Sequence, residues 1–321
     1  MVVSAAPIRL GESRWNVSAQ TPVPQENMTM LFDPIIAGLS AGSLYGLVAV
    51  GFNILYRPTK VFNFAQGDLV MVGAMIGALL IAKAGWHWSG AVAVAAIAVG
   101  LLALIEERIA VTPVLSRSAN GTGWIITTLA VSMIITNVLG KLIGSDPIVV
   151  PAPWPLSVDA LPGLSVSVSS WQIALIALAL ILVLVIERLY RSLWGKAALA
   201  VAEDRDAALM GGIDPIAISR WSWALGGAFA ALTGYLAAPL LSASTALGGT
   251  LLLKGFAAAA IGGLGSNRGA LLAGWAIGLV EAYAALFLSP GYHNAVMLVL
   301  VLGILLVRPG GIFSSLEART V

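Results

Sequence analysis

Residues 221–241 run for 21 positions without one charged side chain. In lipid, a backbone must satisfy its own hydrogen bonds, and a helix does so within a single segment. Apolar runs with at most one charged residue recur at residues 33–56, 62–80, 89–105, 124–143, 171–186, 270–288 and 295–307. Residues 256–264 are apolar but too short to cross unaided, and read either as a re-entrant segment or as part of a tilted span with residues 251–253. At roughly 20 residues per crossing, the chain is expected to be an all-α, polytopic transmembrane helical bundle of eight or nine spans. With 59% hydrophobic and only 10% charged residues, none of its segments suits a separate soluble domain.

The glycines predict where the helices touch. Gly38, Gly42 and Gly46 stand four apart in the first run, and Gly73 and Gly77 repeat that spacing in the second. Positions four apart share a helix face, and small residues there let a second backbone approach closely. Both spans are therefore expected to make helix–helix contacts through these glycines.

Residues 187–220 break the pattern, holding ten of the chain's 32 charged residues. At roughly 2.5–3.5 kcal/mol for each Asp, Lys or Arg at the centre of a span, this window belongs in water. From Lys196 to Met210 it is rich in Ala and Leu and lacks Gly and Pro, which predicts one helix of roughly 20 Å. Gly211-Gly212 supplies a stop, and Asp214-Pro215 restarts a helix with an N-cap and a proline at its first position. Such an element is either an ordinary loop or a docking surface for a soluble partner.

Basic residues set the orientation. With an external N-terminus and nine crossings, twelve Lys and Arg fall on the cytoplasmic side against five outside, Lys254 among the five. The charged window is then cytoplasmic. Residues 144–170, with five prolines and no Lys or Arg, are extracytoplasmic. The expected division is a disordered polar leader (1–30), a transmembrane domain carrying the cytoplasmic window (31–313) and a short cytoplasmic tail (314–321).

Several chemistries are excluded. The chain has no Cys and two separated His, so neither disulfides nor a metal site is expected. A net charge of +2 reflects orientation rather than nucleic-acid binding. Gly262-Gly263-Leu264-Gly265 lacks the strand and Lys-Ser/Thr of a phosphate loop, so it reads as a tight turn between helices. Asn63, Gln66 and Asp68 open the second span, either as caps solvated at the interface or as a helix break lining a polar path. Glu281 lies mid-span, where an acid is either bonded to a neighbouring helix or part of a functional site. No clustered acid, base and nucleophile set suggests an enzyme.

Asn63-Phe64-Ala65-Gln66-Gly67-Asp68, after a Gly-rich first span, resembles the hallmark of branched-chain amino acid ABC transporter permeases. Ala202-Glu203-Asp204 through Gly212-Ile213 is similar to that family's cytoplasmic loop, and Gly262 to Ala270, Glu281 and Arg308 to Phe313 follow in the family's order. The resemblance implies a permease subunit in the bacterial inner membrane, in contact with lipid. Its partners would be a second permease subunit, two ATP-binding subunits and a periplasmic solute-binding protein. ATP would be bound by those partners, with no cofactor in this chain. It further implies Asn63, Gln66, Asp68 and Glu281 along the substrate path, and Ala202, Glu203, Asp204, Gly211 and Gly212 in coupling to the ATPase. Gln66 and Asp68 stand where members often carry His and Glu, which leaves the solute open. A secondary transporter or channel for a small solute such as urea or an amide is the alternative.

Overall fold

Glycine faces organise the bundle. In the computed structural model, which describes residues 26–117, 122–153, 157–158, 168–287, 293–308 and 310–313, helix α1 (Glu26–Thr59) lies antiparallel to α11 (Asn267–Phe287). A Cβ placed on Gly42 would stand 2.5 Å from the Gly274 carbonyl oxygen, and one on Gly38 would stand 2.8 Å from that of Gly278. Gly46 comes equally close to Leu271, its notional Cβ lying 2.9 Å from the Leu271 Cα. The three glycines of α1 thus meet Gly278, Gly274 and Leu271 of α11, and the two backbones come into direct contact.

The second glycine pair works the same way. Helix α2 (Gln66–Ala78), continued by a π-helical turn at Leu79–Lys83, runs parallel to α9 (Pro215–Leu241). Gly73 abuts Ala231, Gly77 abuts the Tyr235 ring, and Gly234 returns the contact onto Val70. Helix α3 (Trp88–Glu106) crosses α9 at Gly100 and Gly227, then passes through a π-helical segment, Glu107–Val111, into α4 (Thr112–Arg117). Helices α1, α2 and α9 are largely buried and form the centre, whereas α5 (Gly123–Leu142) is mostly exposed on the flank. A short antiparallel hairpin, Ser157–Val158 with Val168–Ser169, precedes α6 (Ser170–Tyr190).

Among the described residues, seven helices are long and apolar enough to cross a membrane, and Leu247–Gly262 and Ala295–Val307 are shorter apolar ones. The shorter two belong to α10 (Leu247–Gly262) and α12 (His293–Val307). Helix α10 is continuous, so residues 251–253 and 256–262 are one element rather than a re-entrant segment. It runs parallel to α1, with Gly255 against Val48 and the Phe256 ring 6.2 Å from that of Phe52. It therefore spans the bundle from one end towards the other, as a tilted or short span would.

One expectation is corrected here. Lys196 to Met210 is not one helix: α7 (Leu193–Glu203) and α8 (Arg205–Met210) are separated at Asp204, whose backbone is extended at φ −149°, ψ 112°. The Asp204 carboxylate accepts from the Asp206 and Ala207 N–H groups at 2.9 and 3.0 Å. An N-cap outcompetes helix propensity there because it satisfies donors that the helix itself leaves open. Beyond the 89–105 run, Glu106 and Glu107 lie inside the bundle. Both are buried at 3% exposure within the continuous α3–α4 rod.

The leader at 1–25, the tail at 314–321 and part of the proline-rich loop lie outside the described residues, and α1 already begins at Glu26, within the stretch read as leader.

Candidate functional site: two polar clusters in the bundle and an element at its end

The chain returns into the bundle between α1 and α2. Gln66 packs against Gly51, eight residues before the end of α1, so α2 starts roughly 12 Å along the α1 axis from that end. Asn63 shapes the turn. Its Oδ1 accepts from the Ala65 N–H at 2.8 Å, and its Nδ2 donates to Glu106 Oε2 on α3 at 3.0 Å. Asp68 accepts from the Thr136 hydroxyl of α5 at 2.9 Å and faces Gly248 of α10. Asn63, Gln66 and Asp68 are all buried, which removes interfacial solvation as an account of them. The helix break exists, and it ties α2 to α1, α3, α5 and α10.

Among the described residues, Gln66 has no hydrogen-bond partner on either side-chain polar atom, and it is fully buried. Around the cluster, Phe62 and the motif's Phe64 join an aromatic wall. The Phe62 ring centroid lies 5.8 Å from that of Phe256, and Phe64 lies 6.4 Å from Trp124.

Glu281 belongs to a different cluster. Lys254 Nζ of α10 is ion-paired with Glu281 Oε1 of α11 and donates to the Tyr45 hydroxyl of α1 at 3.0 Å. That hydroxyl in turn donates to Glu281 Oε2 at 2.8 Å. Three helices thus contribute one member each to a largely buried triad. Lys254, counted on the external side from its charge, is instead a buried member of α10 within the bundle. A lone Lys between Leu251–Leu253 and an Ala-rich run was the available signal, but charge alone made it look like a loop residue. Glu281 is accordingly not alone among buried ionisable groups. The four expected path residues do not converge. They fall into two clusters along the α1–α10 seam, Tyr45 and Gly51 being six residues apart on α1, or about 9 Å.

One end of the bundle carries a third assembly. The turn from Gly263 to Gly265, with φ of +86° and +88° at those two glycines, joins α10 to α11 as a tight connection and not as a phosphate cradle. The Gly265 N–H donates to Asn53 Oδ1 at 2.8 Å, and its carbonyl accepts from Arg57. Arg57 also lies over the Tyr190 ring, 4.4 Å from its centroid. The Ile312 N–H donates to the Ile261 carbonyl at 2.7 Å, seating the end of the described chain on the same turn. A cavity of about 720 Å³ opens there, with Arg57, Glu187, Ala202, Glu203, Arg268 and Phe313 on its wall. Arg268 pairs with Glu187 at 2.6 Å.

Beside this cavity, α7 and α8 stand at the bundle's end. Gly211 and Gly212 (φ +81°) turn the chain, and Asp214 caps α9 through the Ile216 N–H at 2.9 Å. The helix–turn–helix path into α9 is as expected. Leu209 and Met210 are 59% and 85% exposed beside Glu203, Arg205 and Asp206.

The break at Asp204 separates two effects that a joint change would mix. Asp204→Ala is expected to fray α8 by loss of a cap worth about 1 kcal/mol, whereas Asp204→Asn keeps an acceptor and should retain it. Glu203→Lys changes surface charge beside an intact cap. Hydrogen exchange of α8 amides checks the first pair, with faster exchange expected in Asp204→Ala alone.

The chain matches the family model described as branched-chain amino acid transport system / permease component over residues 35–305. It is 28% identical to the high-affinity branched-chain amino acid transport system permease protein LivH of Escherichia coli K12, covering 92% of this chain and 99% of the relative. Similarity of 28% extends to BraD, a permease protein of the same description from Pseudomonas aeruginosa, over 89% and 97% of the two chains. A probable branched-chain amino acid transport permease of Methanocaldococcus jannaschii is 29% identical over 84% and 88%. No solved structure matches.

Proposed function

This chain belongs to the branched-chain amino acid transport permease family, and on that premise we propose that it is the membrane-spanning subunit of an ATP-driven importer for branched-chain amino acids. It is a multi-pass membrane protein whose helices form a transport bundle. A second permease subunit, two ATP-binding subunits and a periplasmic solute-binding protein complete the assembly in the bacterial inner membrane, and ATP is bound by the partners.

The observation that carries the coupling part is the α7–Asp204–α8 element. It stands at the cytoplasmic end with Leu209 and Met210 exposed among charges. Apolar side chains clustered within a polar rim fit a protein partner better than bulk water. Closure of the ATP-binding subunits would press on this element, and Gly211-Gly212 would pass the movement into α9 while α6 carries it on the other side. Ala202 and Glu203 line the cavity against Arg57 and Arg268, so the same push reaches the ends of α1 and α11. Within the bundle, Asn63, Gln66, Asp68 and Glu281 lie along the α1–α10 seam that substrate would follow.

Reconstitution tests this. The full complex in proteoliposomes is expected to take up leucine only with ATP on the cytoplasmic face, and a protonophore should leave uptake unchanged. Uptake that needs no ATP and collapses with the proton gradient would assign the buried carboxylates to a secondary transporter instead.

A further inference from the structure

We propose that the groove between the ends of α6, α7 and α9 seats an anionic phospholipid, with one acyl chain in the groove and the phosphate held by the basic side chains around it. Leu189 of α6, Trp194 of α7, and Trp221 and Leu225 of α9 line an open hollow of about 240 Å³. Trp221 and Leu225 are four apart and so share a face of α9. Trp221 is 66% exposed, which leaves the groove accessible from outside the bundle. Its place along the helices decides what can enter. Arg220 is the last charge before the uncharged run of residues 221–241, and Trp221 is the first residue of that run. Leu189 likewise stands one residue before the end of α6. The groove therefore straddles the level where hydrocarbon gives way to headgroups, a level at which tryptophan is enriched.

Charge around the groove selects the lipid class. Arg188, Arg191, Lys196 and Arg220 are all exposed, and each lies within two residues of a groove residue in the chain. Among the described residues, none of these four side chains forms a hydrogen bond or an ion pair; the ion pairs are Lys254–Glu281 and Arg268–Glu187. The acids of the same window are used elsewhere. Glu187 holds Arg268, Asp204 caps α8, Asp214 caps α9, Asp206 lies in the first turn of α8, and Glu203 lines the larger cavity. Four cations thus border one apolar groove without an acid beside them, a charge that an anionic lipid compensates and a zwitterionic one does not. Arginine matches phosphate oxygens with parallel donors, and basic pockets beside membrane helices take anionic headgroups. A soluble protein could cover the cations, but Leu225 is the eleventh residue of α9 and the fifth of its uncharged run, on the hydrocarbon side of them. Bound there, the lipid bridges α6, α7 and α9 and braces the joint through which α7 and α8 meet the bundle.

Lipid retention by the complete complex tests this. The complex, purified in an uncharged detergent, is incubated with phosphatidylglycerol or with phosphatidylcholine of the same acyl chains, and bound lipid is counted by native mass spectrometry. Wild type is expected to keep phosphatidylglycerol in preference to phosphatidylcholine. Added salt should weaken that preference, since exposed charges are screened over about 8–10 Å. Arg191→Gln with Arg220→Gln should lower phosphatidylglycerol retention by about tenfold or more. Lys83→Gln with Arg205→Gln, which removes two exposed charges from the end of α2 and from α8, should not. Leu225→Trp fills the groove while leaving every charge in place, and it too should release the lipid. Retention equal to wild type in the Arg191 and Arg220 variant overturns the proposal. Glycerol 3-phosphate, which offers the headgroup without acyl chains, should not compete; full competition would assign the cations to a free phosphate instead. If the Arg191 and Arg220 variant keeps its lipid but loses the ATP-binding subunits on purification, the face docks protein and the lipid reading falls. Should the Leu225→Trp protein fail to fold, the arginine pair decides alone.

Discussion

Gly42→Leu is expected to prevent α1 from seating on α11 and to remove most assembled protein from the membrane. Even a methyl group at Gly42 would lie 2.5 Å from the Gly274 carbonyl oxygen and 2.8 Å from the Trp275 Cα. These are backbone atoms of another helix, so no rotamer change relieves the clash. Overpacking a closed core typically costs about 1–3 kcal/mol and sometimes more, and a leucine at the centre of a glycine-on-glycine contact belongs at the upper end. Neighbouring contacts at Gly38 and Gly46 would open with it, because all three lie on one face. Gly42→Ala should fall between leucine and wild type. Gly303→Leu serves as the control, since a Cβ there meets nothing within 4 Å. The thermal midpoint in detergent and the yield of assembled complex read the difference. Wild-type values for Gly42→Leu would mean that α1 and α11 do not approach as described.

The second large effect is Lys254→Met, which leaves Glu281 as a carboxylate without its ammonium. Side-chain exposure is 10% for Lys254 and 14% for Glu281, so water reaches the orphaned charge poorly. Removing one partner of a buried pair costs about 3–5 kcal/mol, whereas replacing both with apolar residues of similar volume is often neutral or stabilising. The double variant Lys254→Met with Glu281→Leu should therefore recover much of the stability lost in the single one. Its uptake should stay low, because it lacks the Glu281 carboxylate on the seam that substrate would follow. A melting series of the two singles and the double measures the coupling, which is expected to exceed about 1 kcal/mol. Additive losses would show that Lys254 and Glu281 act separately.

Legibility in the sequence followed the range of each interaction. The long apolar runs predicted helices because a membrane span is a local demand on roughly 17–25 consecutive residues. Gly38, Gly42, Gly46, Gly73 and Gly77 announced contact faces because helical periodicity is local too. The Gly211-Gly212 stop and the Asp214-Pro215 start were readable for the same reason. Asp204 was not, although its capping is local: Ala and Leu on both sides made a continuous helix equally consistent with the pattern, and only the folded chain chose between propensity and cap. The partners of the polar residues lay beyond any local pattern. Asn63 finds Glu106 43 positions away, Lys254 finds Tyr45 209 positions away, and Tyr45 finds Glu281 236 positions away. A charged residue in an apolar run reads as a loop until a second charge on another helix neutralises it. Helix positions and packing faces were thus determined by the sequence itself, while the pairing of buried charges was decided by tertiary structure, because the desolvation that makes a lone charge intolerable is offset only by a counter-charge that folding brings within reach.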